Sequence, residues 1–285
     1  MTAINTILQR DRVTVVCDTA YYDVGGYVQG FAPKAMVIPH WPGIVAMRGA
    51  IYVHALLVAK LSLRFASLDA FADEAETFLA EFCEEHYEML HSSEAAPGIQ
   101  VTAAGYSHSR GTCRAFVIEA GDVGDLSLSD GETFGAEAVD THSKKLVELP
   151  LNRAMILPLP SAEAMEDVGL EPGVNIAALD AAGVRRFGTL VLRAQRQVCD
   201  VLAEGEEPTY AVGGQPVFLT VAKDGTITTS IGPAWPDKVG ERIDPSQDVT
   251  EPSAPATAPG TAHMSRQQRR QYERMQRLRH KQFAA

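Results

Sequence analysis

The 285-residue chain is predicted to fold as an α+β protein, a four-layer αββα sandwich in which two antiparallel sheets pack face to face and helices flank both. Three observations predict it. The segments follow one another as strands, two helices, strands, two helices and strands. The strand segments are short apolar runs bounded by turn residues. The helical segments are long enough, and apolar enough on one side, to cover a sheet.

Residues 3–9 and 12–18 read as the first two strands, the second carrying the buried-type run Val13-Thr14-Val15-Val16-Cys17. Residues 35–39 and 43–47 read as a hairpin around His40-Trp41-Pro42-Gly43. A helix from Gly49 to about Leu63 is apolar almost all round, which predicts burial on every side. Ser67 is placed to cap a second helix through Leu90, with acids near its start and Phe71, Phe78, Phe82 and Leu90 on one stripe. Strands are expected at 99–106 and 113–119, then a poorly patterned stretch to about 140. Helices are expected at about 162–168 and 176–203. Two closing strands are joined by Lys223-Asp224-Gly225, an Asp-Gly hairpin signal.

The domain therefore runs from 1 to about 240. Residues 241–264 are rich in Pro, Ala, Thr and Ser and read as a disordered linker, because such a stretch buries too little apolar surface to offset its ordering entropy. Residues 265–285 are good helix formers carrying seven Lys/Arg against one Glu, in a chain of net charge −11. This basic helical tail has two readings: a solvated helix, or a ligand for an acidic partner or nucleic acid. The acidic body of a neighbouring subunit is one such partner.

Hydrophobic content of 46% and charged content of 21% are those of a globular protein. No apolar run reaches the roughly 18–20 residues of a membrane span, so no membrane partner is expected. No basic stretch followed by an apolar one opens the chain, which predicts a cytoplasmic protein. Cys17, Cys83, Cys113 and Cys199 are scattered, without a CxxC or His pairs at zinc spacing. They read as reduced core residues, with no metal site and no cofactor expected. The histidines form no metal or triad spacing and read as structural or exposed.

Chemistry enters at Thr2. Removal of Met1 would leave Thr2 with a free α-amine beside its hydroxyl, a nucleophile carrying its own base. The hydroxyl is weak near pH 7, and the amine, ordinarily near pH 8, can accept its proton. A nearby Lys⁺ would lower the proton affinity of both, and a buried Asp would hold that Lys in place. Asp18 and Lys34 stand 16 and 32 residues after Thr2. Read singly, the three are a terminus, a strand-end cap and a surface lysine.

Those two spacings match the processed Thr, Asp and Lys of proteasome β-subunits and of the related bacterial two-component protease. The chain resembles these N-terminal nucleophile (Ntn) hydrolases. The match continues at Ala46-Met47-Arg48-Gly49-Ala50, similar to the family's small-residue turn before its first helix. It resumes at residues 212–225, similar to the family's closing strands. The resemblance implies a threonine-type peptidase or amide hydrolase without metal or cofactor, assembled as a homo-oligomer. It implies that Thr2 attacks a peptide or amide carbonyl, that Asp18 holds Lys34, and that the oxyanion rests on the Arg48 backbone N–H beside Gly49. It implies a small apolar pocket walled by Ala32, Met36, Ala46 and Ala50. An amidase acting on small amides is the same chemistry with another substrate.

Three positions depart from the family. Arg48 stands where Gly is usual, which keeps the backbone donor and adds a charged side chain. Thr209 and Val212 stand where a supporting Asp and Ser precede the paired glycines. Ser161 is the nearest candidate for a third supporting Ser. These departures, with the linker and tail, define the alternative expectation: a catalytically silent proteasome-like scaffold or assembly protein, phage-related, with a basic partner-binding tail.

Overall fold

Ile4–Leu8 (β1) and Arg12–Cys17 (β2) pair antiparallel, with Ile4 opposite Cys17 and Leu8 opposite Val13. The computed structural model describes residues 2–23, 25–91, 98–121, 133–134, 144–171, 173–200 and 209–248. Two further short strands, Ala20–Tyr22 (β3) and Val28–Phe31 (β4), form a bulged hairpin. Ala35–Ile38 (β5) and Gly43–Arg48 (β6) form the expected hairpin, with Ala35 opposite Ala46. Ile99–Ser107 (β7), Thr112–Ala120 (β8) and Val147–Glu148 (β10) extend it into a five-stranded sheet of order β10-β8-β7-β6-β5.

The second large sheet gathers strands from both ends of the chain. Thr133–Phe134 (β9) and Arg153–Leu157 (β11) join β1 on one side. Val217–Ala222 (β14) and Ile227–Ile231 (β15) join β2 on the other, giving the order β15-β14-β2-β1-β11-β9. Cys199–Asp200 (β12) and Thr209–Tyr210 (β13) form a small separate ladder. Every pairing among these strands is antiparallel, and the chain is an α+β protein.

Three hydrophobic clusters lie on successive faces of the two large sheets. Val45, Met47, Val101, Ala103, Phe116 and Ile118 face the helices Ile51–Arg64 (α1) and Leu68–Glu85 (α2). The alternate residues Ile44, Ala46, Ala104, Ala115 and Val117 pack with Val13, Val15, Cys17, Met155 and Leu219 of the other sheet. The far face of that sheet, through Ile7, Val16, Ile156 and Phe218, packs with Val184, Phe187, Val191 and Leu192 of the helix Ala181–Arg196 (α5). Period-two alternation along each strand divides its side chains between two clusters.

Local chemistry sets the helix limits. Ser67 Oγ accepts from the Ala70 N–H at 3.1 Å and starts α2, whose Phe71, Phe78 and Phe82 are all buried. Burial of each such ring contributes roughly 1.5–3 kcal/mol. The helix ends at Glu85, short of the expected Leu90, and a separate turn, Tyr87–His91 (α3), follows His86. Burial of α1 on every side does not occur: Val53, Leu57 and Leu61 are buried, while Leu63 is 89% exposed. Ala162–Asp167 (α4) lies as expected. The helix expected from 176 begins later, because Asp180 caps α5 by accepting from the Gly183 N–H at 2.7 Å; Ile176–Ala178 is a 3₁₀ turn.

The first compact unit runs to Gln247, beyond the boundary expected at 240. Residues 241–247 belong to this unit and are not a linker. The Val28 N–H donates to the Glu241 carbonyl at 2.9 Å, Tyr27 bridges Arg242, and Ile243 is 3% exposed against Ala20 and Val28. A Pro- and Ser-rich window averages away a single buried isoleucine. The rest of the linker and the basic tail, residues 249–285, lie outside the described residues. Among the described residues, no helix is long and apolar enough to cross a membrane.

Candidate active site

Thr2 stands two residues before β1, Asp18 directly follows β2, and Lys34 directly precedes β5. Antiparallel pairing of β1 with β2 puts the start of one strand beside the end of the other, so Ala3 and Asp18, 15 residues apart, become neighbours. The Ala3 backbone N–H donates to Asp18 Oδ1 at 3.2 Å, which ties the Thr2–Ala3 peptide to that carboxylate. Lys34 Nζ donates to Asp18 Oδ1 and Oδ2, each at 2.8 Å. The side chains are 2% and 0% exposed. Thr2 itself is half-buried.

The Asp18 carboxylate has a further donor, the Gly213 N–H at 3.0 Å on Oδ2. Four hydrogen bonds thus compensate a buried charge that would otherwise carry a large desolvation cost. Burial, and then the adjacent Asp18 charge, pushes the Cys17 thiol up to about 12, so it stays protonated beside the site. His54 is 1% exposed, with Nε2 3.2 Å from the Val45 carbonyl. Burial lowers its pKa and keeps the ring neutral.

Arg48 closes β6 and is 2% exposed. Its side chain turns inward: Nη1 donates to Gln100 Oε1 at 3.1 Å, and Gln100 Nε2 donates to Glu119 Oε1 at 3.0 Å. The three residues stand opposite one another across β6, β7 and β8. The next residue, Gly49, has φ +117°, and a Cβ there would lie 2.7 Å from the Gly98 carbonyl oxygen. Only glycine takes this turn without displacing backbone.

The expected pocket wall does not form a single surface. Ala46 is opposite Ala35 and Met36 is opposite Val45, so Ala46 and Met36 lie on opposite faces of the hairpin. Ala46 has no exposed surface and belongs to the core between the sheets. Ala50 is 6% exposed and joins the core under α1. Ala32 and Met36 are half-buried and keep accessible surface. A cleft lined by Leu8, Arg110, Cys113, Arg114 and Glu148 opens at the far end of β1 from Thr2 and includes none of these residues.

Ser161 is not a supporting residue of the site: its Oγ caps α4, accepting from the Ala164 N–H at 3.1 Å. Val212 is buried against α5. Polar support comes instead from residues that sequence reasoning missed. Thr19 Oγ1 accepts from the Gln215 N–H at 3.1 Å. Arg196 donates to Asp237 through Nη1 at 3.0 Å and Nη2 at 2.7 Å. Asp237 Oδ2 also accepts from the Gly214 N–H at 2.7 Å. Arg196 ends a helix, where basic residues ordinarily meet solvent, and its partner lies 41 residues on, so no local pattern marks the pair.

Among the described residues, no group of three or more His, Cys, Asp or Glu is placed to hold a metal ion. No protein-family model matches the chain, and no curated protein matches it.

Proposed function

We propose that the chain is a threonine-type Ntn hydrolase, a cytoplasmic peptidase or amide hydrolase with the four-layer αββα sandwich of proteasome β-subunits. The observation that carries this reading is the buried Asp18 carboxylate, held at once by Lys34 Nζ and by the N–H that follows Thr2. An Asp–Lys pair so thoroughly desolvated is expensive as mere packing. It has a chemical use beside an N-terminal hydroxyl and amine. The succession of helix, sheet, sheet and helix clusters supports the sandwich.

In this mechanism Met1 is removed, as the small residue at position 2 permits. The Thr2 amine takes the hydroxyl proton, directly or through water, as Oγ1 attacks the substrate carbonyl. Lys34⁺, fixed by Asp18, favours the deprotonated nucleophile and amine. The oxyanion is met by the backbone N–H of Arg48 at the Gly49 turn. The Arg48 side chain is engaged with Gln100. The leaving amine takes the proton back, and water releases the acyl group from Thr2. Relatives of this kind work as rings, so the reading includes a homo-oligomer and needs no cofactor.

The scaffold alternative rests on the family's Asp and Ser being replaced at Thr209 and Val212, and on the linker and basic tail. The Arg196–Asp237 pair supplies polar support at that place and favours the enzyme. The deciding experiment is the intact mass of the full chain before and after a peptide epoxyketone. Loss of Met1 and one adduct, abolished in Thr2→Ala, is the expected result. Retained Met1, or a free Thr2 that takes no adduct, overturns the enzyme reading and leaves the scaffold.

A further inference from the structure

We propose that Arg196 and Asp237 are the positioning pair of the candidate site. By clamping Val212–Gly214 they hold the Gly213 N–H on Asp18, and so set the Asp18–Lys34 pair against the Thr2–Ala3 peptide. The inference rests on the nucleophile reading above.

The pair is buried, with side chains 1% and 2% exposed. Buried ion pairs seldom stabilise a fold better than apolar residues would, so their polar targets show what they serve. Here the targets are consecutive. Arg196 Nη1 donates to the Val212 carbonyl at 2.8 Å. Gly213 donates to Asp18 Oδ2 at 3.0 Å, and its carbonyl accepts from the Thr19 and Ala20 N–H groups at 3.2 and 3.0 Å. Gly214 donates to Asp237 Oδ2 at 2.7 Å. Successive N–H groups of one turn therefore go to two buried carboxylates, one from each ion pair.

The clamp is tight. A Cβ on Gly213 would lie 2.7 Å from Asp237 Oδ2. The segment that brings Asp237 is pinned by the Trp235 N–H on the Gly214 carbonyl at 2.7 Å, and the Trp235 ring covers the Arg196 guanidinium at 5.0 Å. Residues 235–237 thus supply from the far end of the unit what positions 209 and 212 lack. Among the described residues, the titratable groups near the two pairs include Cys17, protonated by burial, His54, kept neutral by burial, and Asp244, whose carboxyl is lowered chiefly by Ser246 and Gln247 and in small part by Arg196.

The test uses the full chain as wild type, Asp237→Asn, Asp237→Glu and the double variant Arg196→Gln/Asp237→Asn. Two quantities are measured: the rate of epoxyketone adduct formation at Thr2 across pH, and hydrogen exchange of the Gly213 amide by NMR. In Asp237→Asn the maximal rate falls on the order of 10- to 100-fold with the half-saturating concentration unchanged. The acid-side midpoint moves down, because the variant removes a negative charge that favours the protonated Thr2 amine. Gly213 exchange accelerates. The double variant, with both charges gone, returns the midpoint while the rate stays low.

Wild-type rate and midpoint with a protected Gly213 amide overturn the proposal. So does a uniform loss of rate with the midpoint fixed and Gly213 still protected. If Asp237→Asn does not fold, Asp237→Glu carries the test. A reduced rate at an unmoved midpoint with faster Gly213 exchange supports the proposal, and wild-type values of both overturn it. A wild-type chain that takes no adduct sinks the nucleophile reading instead, and Gly213 exchange still decides whether Asp237 sets Asp18.

Discussion

Lys34 Nζ lies 2.8 Å from both carboxylate oxygens of Asp18, and neither side chain exposes more than 2% of its surface. Each charge is tolerated only because the other is present. Lys34→Ala leaves a buried carboxylate with backbone donors alone, and Asp18→Asn leaves a buried ammonium. Each single variant is expected to lose about 3–5 kcal/mol by urea unfolding, and to abolish Thr2 labelling. Asp18→Asn with Lys34→Met is expected to lose much less than the two losses summed. Additive losses would show that the two side chains act independently.

Gly49→Ala tests the turn that carries the proposed oxyanion donor. The φ of +117° and the Gly98 carbonyl oxygen 2.7 Å from a new Cβ together predict a loss of about 1–3 kcal/mol. Because the neighbouring Arg48 N–H turns with it, adduct formation at Thr2 is expected to fall more steeply than stability. An unchanged urea midpoint would mean that the backbone relaxes at no cost.

Stability should fall away on both sides of neutrality, for different reasons. The folded thiols of Cys17 and Cys113 are pushed from 9.0 up to about 12, chiefly by burial. Above pH 9 the unfolded chain releases these protons and the folded chain keeps them, so stability drops as pH rises from 9 towards 12. His54 is displaced downward from 6.5 by burial. Below pH 6.5 the unfolded chain binds a proton that the folded ring refuses, so stability also drops as pH falls. Urea midpoints measured across pH give both limbs. Cys17→Ala should lower the alkaline slope by about one proton; an unchanged slope would contradict the assignment.

The ordered stretch beyond residue 240 makes a prediction about truncation. A chain ending at Gln247 keeps Asp237, Glu241 and Ile243 and should unfold cooperatively near the midpoint of the full chain. A chain ending at Gly232 loses Trp235, Asp237 and Ile243, and so takes the Asp237 carboxylate and the Trp235 ring away from the buried Arg196 guanidinium. Its unfolding should shift by more than about 3 kcal/mol or lose cooperativity. Equal midpoints for the two chains would refute the role given to this segment.

The legible parts of the fold are those whose signals are local. Val13–Cys17, the 35–47 hairpin and the Asp224-Gly225 turn carry alternation and turn chemistry within a few residues, and the structure forms β2, β5, β6, β14 and β15 there. The β3–β4 hairpin is too short and irregular for a period to register, with a bulge between Tyr21 and Tyr22. Strand β11 enters through Asn152 at φ 60°, a left-handed turn that its sequence does not advertise. At the site, the spacing of Asp18 and Lys34 points to a pair, and the structure brings the two side chains together beside the Thr2–Ala3 peptide, where one hairpin closes. Arg196 and Asp237 are not legible in this way, because an ion pair between a helix end and a late loop leaves no periodic trace. Ala46 misled for a related reason: its neighbour Met36 is close along the hairpin but on its other face.

The hydrogen bonds around Asp18 draw on residues 3, 34 and 213, and Asp237 secures the last of them. A ribosome delivers these residues in that order, with most of the unit between the first and the last. While the chain is still being made, the amino end can emerge and lose Met1, but the turn that braces Asp18 has no counterpart until residue 237 clears the exit. The braced set of hydrogen bonds on Asp18 can therefore be complete only in a chain that has been made beyond residue 237.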